Sequence, residues 1–444
     1  VPASPPRVLR LSAALLGTGL GLAGTRRVFH SLFDRALPAP FIEAMAEARP
    51  AARFDRSAGV SPLVMTLPTT AHVEGVLGRE SVVVKDSLDV AGAPTSLGLG
   101  RVGEIATHDA AIVRRLREAG AQISGKAKMT ELGMDGIGAL MPSTMPQNPL
   151  APGYIPGGSS TGTAVAVASG LSRYGIGGDG LGSVRIPAAY CGLVGLKPGT
   201  GTLSTEGYRS VAATMDVPGP MALTVGDCAR LFQVSAGLPV RELAARRPTK
   251  VGLIVGLGPE LASSAQRRAF SRALDAMHTS RVLLPVPGAA SHLSLAVAWS
   301  TAELAQSPYA EHTDSAQGRL NITLGRSLAG DLSLLAERRD ALLREVLRAL
   351  ESVEVLAMPT TAIPPPALTA ALLAGGQDIA LLRAIGAYTP LANVTGLPAI
   401  AVPSGRDDRG RPLSIMFVGR PGSEEALLEI AAAVEATGVG TQRI

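Results

Sequence analysis

From residue 81 onward, short runs rich in β-branched residues alternate with stretches whose apolar positions recur at helical spacing. SVVVK (81–85) reads as a strand, the amphipathic stretch around 103–118 as a helix, and AQIS (121–124) as the next strand. That alternation predicts βαβ units, and so an α/β fold on a largely parallel or mixed sheet. Further strands are predicted at 251–255, 353–358, 397–403 and 413–419, with another at 173–177. Helices are predicted at 161–172, 264–278, 295–306, 335–351 and 424–436. The last carries Glu424 and Glu425 in its first turn, where the helix dipole favours acids.

Between these elements lie connections rich in proline and glycine. The longest, 141–158, exceeds what a compact domain usually leaves without regular structure, and ordered loops of that length are usually functional. No repeat period and no low-complexity segment divides the chain. The expected organisation is an N-terminal helical segment over 1–60 packing on one catalytic domain, 61–444, with a variable substrate region at about 230–345. Near the N-terminus, 11–24 is the one long apolar stretch; at 14 residues it is too short to span a bilayer. Its glycine content and the Arg26-Arg27 pair that follows fit a helix better than an export signal, so a cytoplasmic protein without a membrane span is expected.

Composition sharpens this picture. The 444 residues are 46% hydrophobic but only 3% aromatic, with 51 Gly and 33 Pro, so the core is filled by Ala, Val, Leu and Ile. Against 36 acidic residues, 41 basic ones give a charge of +5, too mild and too scattered to imply a nucleic-acid partner. Cys191 and Cys228 lie in no disulfide or redox context and are expected to be reduced core residues. The six histidines show no ligand spacing, so neither a metal nor another cofactor is expected.

Chemistry concentrates at 157–200, where three glycine motifs compete. Gly158-Ser159-Ser160-Thr161-Gly162 fits a nucleophile elbow centred on Ser160, but that motif needs a buried strand before it and PLAPGYIP supplies three prolines. Gly175 to Gly180 fits a dinucleotide-binding loop. A helix opening at Gly180 would then place Pro187 in its interior, and no acid follows about 20 residues on. Taken whole, the stretch resembles the amidase-signature family. Gly157-Gly158-Ser159-Ser160, Asp179, Gly182-Ser183-Val184-Arg185-Ile186-Pro187, Cys191-Gly192 and Gly195-Leu196-Lys197-Pro198 fall in that family's order. So do 82–98, 128–134, Asn148-Pro149, Asp216 to Met221, 357–366 and 393–405, and the resemblance covers roughly 60–440.

The resemblance implies one large α/β domain with a central mixed, twisted sheet covered by helices on both faces. It also implies an amidase acting on linear carboxamides. Amide hydrolysis needs an activated nucleophile, an oxyanion donor set and a proton for the departing amine. By the resemblance Ser183 is the nucleophile, Ser159 relays the proton and Lys85 is the base. A lysine does this near neutrality only if burial favours its neutral form, and the run Val82-Val83-Val84 can carry Lys85 inward. Taken alone, Lys85 would be a surface strand end, Ser159 the residue before a helix cap at Ser160, and Ser183 a turn serine. The amides of Gly180, Leu181, Gly182 and Ser183 form the expected oxyanion hole. Asp179 and Arg185 are expected to pair behind it, with Ser160 also in support.

Thr161 and Thr163, the Gly180-Leu181 pair and Leu223 depart from the family pattern and bear on substrate and rate. At 181, where the family usually has glycine, the expectation is a negative φ with the leucine lining the acyl pocket. The partner expected is a small-molecule amide, and a homodimer is left open. Two other readings stand beside the amidase: an acyl-transfer or amidotransferase subunit, which would co-purify with a partner, and a catalytically degenerate binding member, which would not take a fluorophosphonate.

Overall fold

The computed structural model describes residues 33, 36–50, 60–68, 74–138, 141, 145–313, 315–369, 372 and 378–440. Its strands are β1 (Leu63–Thr66), β2 (Ser81–Lys85), β3 (Pro94–Thr95), β4 (Glu104–Ile105), β5 (Gln122–Ala127), β6 (Tyr174–Asp179), β7 (Val194–Lys197), β8 (Val217–Ala222), β9 (Lys250–Ile254), β10 (Ser280–Leu284), β11 (Val355–Pro359), β12 (Ala399–Arg406) and β13 (Pro412–Val418). All but β3 and β4, which pair with each other, join one 11-stranded sheet in the order β1-β5-β2-β6-β8-β7-β12-β13-β11-β9-β10. The sheet is mixed: β5, β2 and β6 run parallel at one end and β11, β9 and β10 at the other, with antiparallel pairs between them.

Strand alternation splits the core into two layers, because successive side chains point to opposite faces. On β11, Leu356 and Met358 join one apolar cluster while Val355 and Ala357 join the other. On β13, Met416 and Val418 separate from Ile415 and Phe417 in the same way. Helices cover both layers. α1 (Ala39–Glu47) sends Ile42 and Ala46 into the first, which also receives Leu295 and Trp299 of α7 (His292–Gln306) and Leu342 and Val346 of α9 (Leu332–Leu350). The second takes Val113 and Leu116 from α2 (Ala111–Glu118), and Leu231 and Phe232 from α5 (Val225–Ala236). Phe270 of α6 (Ser264–Ala276) and Leu427 of α12 (Glu424–Ala436) complete it.

The predicted helix at 424–436 has those bounds, and the strands at 81–85, 251–255, 353–358, 397–403 and 413–419 are present to within three residues at either end. Elsewhere local chemistry moves the edges. The helix predicted over 161–172, α3 (Thr161–Ala168), stops short because Gly170 takes a φ of 74°. The helix around 103–118 opens only at Ala111, since Glu104–Ile105 is spent on the small β3–β4 ladder. Sequence reading missed β8, whose sequence VPGPMA looks unfit for a central strand. Its ladder with β7 covers only Met221 and Ala222, so Pro218 and Pro220 lie where β8 is paired on its β6 side alone. The apolar stretch 11–24 lies outside the described residues.

Candidate active site

The site forms where β2, β6 and β8 lie side by side. β2 and β6 are parallel and β8 is antiparallel to β6, so the last residue of β2, Lys85, the last of β6, Asp179, and Asp216, just before β8, come to one edge of the sheet. The helix that follows Ser183 is α4 (Arg185–Tyr190), which the sequence reading did not anticipate. It begins at Arg185 rather than Gly180, so Pro187 sits in the first turn, where its missing N–H has no helical partner to lose.

Lys85 is buried, and its Nζ donates to Ser159 Oγ at 2.8 Å and to Gly178 O at 3.3 Å. Burial brings the Lys85 ammonium down to about 8, with Asp216 and then Asp179 opposing that fall. Ser159 follows a cis Gly158–Ser159 peptide bond and is itself buried. Ser160 precedes α3 but does not cap it: its hydroxyl donates to Gly178 O and accepts from Gly178 N–H, both at 3.2 Å. The N–H of Ser160 donates to Ser183 O at 3.3 Å, which ties the two serine segments together. Ser183 is 7% exposed, and among the described residues its hydroxyl makes no hydrogen bond.

Asp179 organises the loop that presents Ser183. Its carboxylate accepts from the N–H groups of Gly182 at 2.7 Å and Val184 at 3.1 Å. Arg185 meets it with Nε at 3.0 Å and Nη2 at 2.9 Å, in an ion pair with both side chains at 0% exposure. Burial alone would raise the carboxyl, but the Arg185 charge and the hydrogen bonds from Arg185 and Asn393 outweigh it and hold Asp179 well below the usual carboxylate range. Gly182 has a φ of 123°, and a Cβ there would lie 2.3 Å from Thr389 Oγ1, so only glycine fits.

The loop corrects one expectation. The Gly182 N–H is already given to Asp179, which removes it from the expected oxyanion set. The N–H groups of Gly180, Leu181 and Ser183 carry no hydrogen bond among the described residues. Leu181 is absent from the positive-φ residues, is half-buried, and packs against the first apolar cluster.

Several residues of the site were missed. Asn393 Nδ2 donates to Asp179 Oδ1 at 2.9 Å and its Oδ1 accepts from Arg185 Nη2 at 2.6 Å, while Thr389 O accepts from Arg185 Nη1 at 2.8 Å. Both lie more than 200 residues from their partners, beyond any local pattern. Asp216 accepts from Tyr208 Oη at 2.7 Å and Ser210 Oγ at 2.9 Å. Asp86 and Lys126 form a second buried ion pair at 3.0 Å behind Lys85. Among the described residues no cluster of His, Cys, Asp and Glu is arranged to hold a metal, and no helix is long and apolar enough to cross a membrane.

Comparison with known proteins gives the family. The family model named Amidase matches residues 80–428. A Mycobacterium tuberculosis protein carrying the amidase name AmiB2 is 31% identical over 94% of this chain and 96% of its own. A Natronomonas pharaonis protein named as one component of the glutamyl-tRNA(Gln) amidotransferase is 32% identical over 81% of this chain and 96% of its own. A solved amidase structure, 28% identical, superposes with a TM-score of 0.72 over 83% of this chain and 86% of that one. The buried lysine on a serine hydroxyl, the Gly-rich loop behind a second serine and these matches together place the chain in the amidase family.

Proposed function

We propose that the protein hydrolyses a linear carboxamide through an acyl-enzyme on Ser183, with Ser159 as proton relay and Lys85 as base. The observation that carries this reading is the 2.8 Å hydrogen bond from the buried Lys85 Nζ to Ser159 Oγ, made by an amine that burial brings down to about 8. Such an amine is neutral often enough near neutrality to accept a proton. The Ser183 hydroxyl attacks the amide carbon, its proton passes to Ser159 Oγ, and the Ser159 proton passes to Lys85 Nζ. As the C–N bond breaks, the proton returns along the same path to the departing amine, and water repeats the sequence on the ester.

Charge on the carbonyl oxygen then falls to the N–H groups of Gly180, Leu181 and Ser183, and one such donor is worth roughly 10²–10³ in rate. Asp179, held by Arg185 and Asn393, fixes the loop so that these donors need no rearrangement during reaction. The test is intact-mass analysis after fluorophosphonate treatment, followed by peptide mapping: one adduct on Ser183 is expected, and labelling elsewhere or none refutes the assignment. The amidotransferase relative supports a second reading, in which an amine or a second protein receives the acyl group or ammonia. Co-purification of a second chain with ammonia transfer would favour it.

A further inference from the structure

The mechanism above leaves one carboxylate at the site without a role. Asp216 precedes β8 and Lys85 ends β2, and these strands flank β6 on its two sides, so both groups face the end of β6. Lys85 Nζ rests on Gly178 O, and a Cβ on Gly178 would meet Tyr208 Oη at 1.9 Å, which sets the Tyr208 hydroxyl over the same residue. Tyr208 and Ser210 each donate to a different oxygen of Asp216, fixing the carboxylate in place, and its Cγ lies 3.5 Å from where a Cβ on Gly180 would stand.

Two other carboxylates nearby are already matched. Asp179 is paired with Arg185, and Asp86 with Lys126. Lys197, at the end of β7, donates to Pro198 O and senses Arg185, Asp179, Glu424 and Asp216. Asp216 makes no ion pair among the described residues, so its charge acts on Lys85 through space, in a setting where burial screens it weakly.

We propose that Asp216 is a positioning residue for the reaction: a fixed carboxylate that stabilises the cation formed when Lys85 takes the proton from Ser159. This rests on Lys85 acting as the base. When Ser183 attacks, a positive charge is created in a buried place, and a carboxylate already oriented by two hydroxyls lowers that cost without moving. Without it, Lys85 is a weaker base, and of the two carboxylates that oppose burial only Asp179 remains. Burial raises Asp216 above the usual carboxylate range, with the Lys85 charge and the two hydroxyls opposing that rise, so the carboxylate is most effective once the pH clears that range.

The test follows the rate of fluorophosphonate labelling at Ser183 from pH 5 to 10, which needs no known substrate. In the wild-type protein the rate rises with pH as Lys85 loses its proton. Asp216→Asn keeps the shape of the side chain: one hydroxyl still donates to its amide oxygen while the other turns to accept from its NH2 group. The rise is expected to move to lower pH by about 1 unit and the alkaline plateau to fall about threefold, as a weaker base transfers protons more slowly. Tyr208→Phe, which keeps the carboxylate but removes one donor, is expected to move the rise the same way by less, and serves if Asp216→Asn does not fold. A rise that stays in place in both variants, or moves to higher pH, overturns the role of Asp216 while leaving Lys85 as base. A rise that persists in Lys85→Ala overturns both readings.

Discussion

Lys85 and Lys197 end two strands of one sheet, β2 and β7, and both are buried. Burial lowers both, Lys85 to about 8 and Lys197 to about 7. By depressed basicity alone, Lys197 would be the better candidate for a base at neutral pH. Their partners separate them. Lys85 donates to a serine hydroxyl, a group that can give up a proton, whereas Lys197 donates to the Pro198 carbonyl, which has none to give. A buried, weakened lysine is therefore not a catalytic one until something with a transferable proton sits on it.

The largest effects test that distinction directly. Ser183→Ala is expected to lower amide turnover by about 10⁴-fold or more, and Lys85→Met nearly as much, measured on a panel of aryl and alkyl amides. Lys197→Met should stay within about threefold of wild type; a collapse there would break the comparison. Ser160→Ala should retain most turnover, because its hydroxyl serves Gly178 rather than the proton path. Equal loss in Ser160→Ala with the fold intact would return the nucleophile to Ser160.

Stability sharpens the same contrast. An unfolded lysine titrates near 10.4, so between about pH 7 and 10 the unfolded chain binds a proton that folded Lys197 has released, and stability rises with pH across that window. The urea midpoint is expected to rise from pH 7 to pH 9 in wild type and to rise less in Lys197→Met. Removing the cation of the buried ion pair nearby, in Arg185→Ala, should cost about 3–5 kcal/mol, since it strands Asp179 in the core. For Lys85 the readout is rate: turnover should climb about tenfold per pH unit below pH 8 and level off above it. Full activity at pH 5 would contradict a lysine base.

The smallest expected effect is at Leu181, whose backbone needs no glycine and whose side chain packs on the first apolar cluster. Leu181→Gly should keep the Ser183 adduct and widen acceptance of larger acyl groups. A gain above about tenfold on every substrate alike would instead mark a damaged oxyanion position.

What the sequence showed and what it hid follow from the range of the forces involved. β2, α12 and the Asp179–Arg185 pair are written in neighbouring residues, so periodicity and spacing reveal them. β8 was hidden because two prolines argue against a strand unless one knows that its pairing to β7 stops short of them. Gly182 looked like an oxyanion donor because spacing says which amides are close, not which are already committed to a carboxylate. Thr389 carried no signal near the motif it completes, and Asn393 and Asp216 were visible only as the first residues of matching segments, their chemistry supplied by the fold.

The clamp from Thr389 and Asn393 has a temporal consequence. Arg185 meets Thr389 across 204 residues and Asn393 across 208, so on a ribosome the nucleophile loop is made long before the residues that lock it. At about 5–20 residues per second, the loop waits roughly 10–40 s for its clamp. During that interval Asp179 and Arg185 have each other but lack the C-terminal contacts, and a chain truncated before residue 389 cannot hold the site however well its first half folds. The protein thus comes with an order of assembly in which competence arrives last, after β12 and β13 close the middle of the sheet.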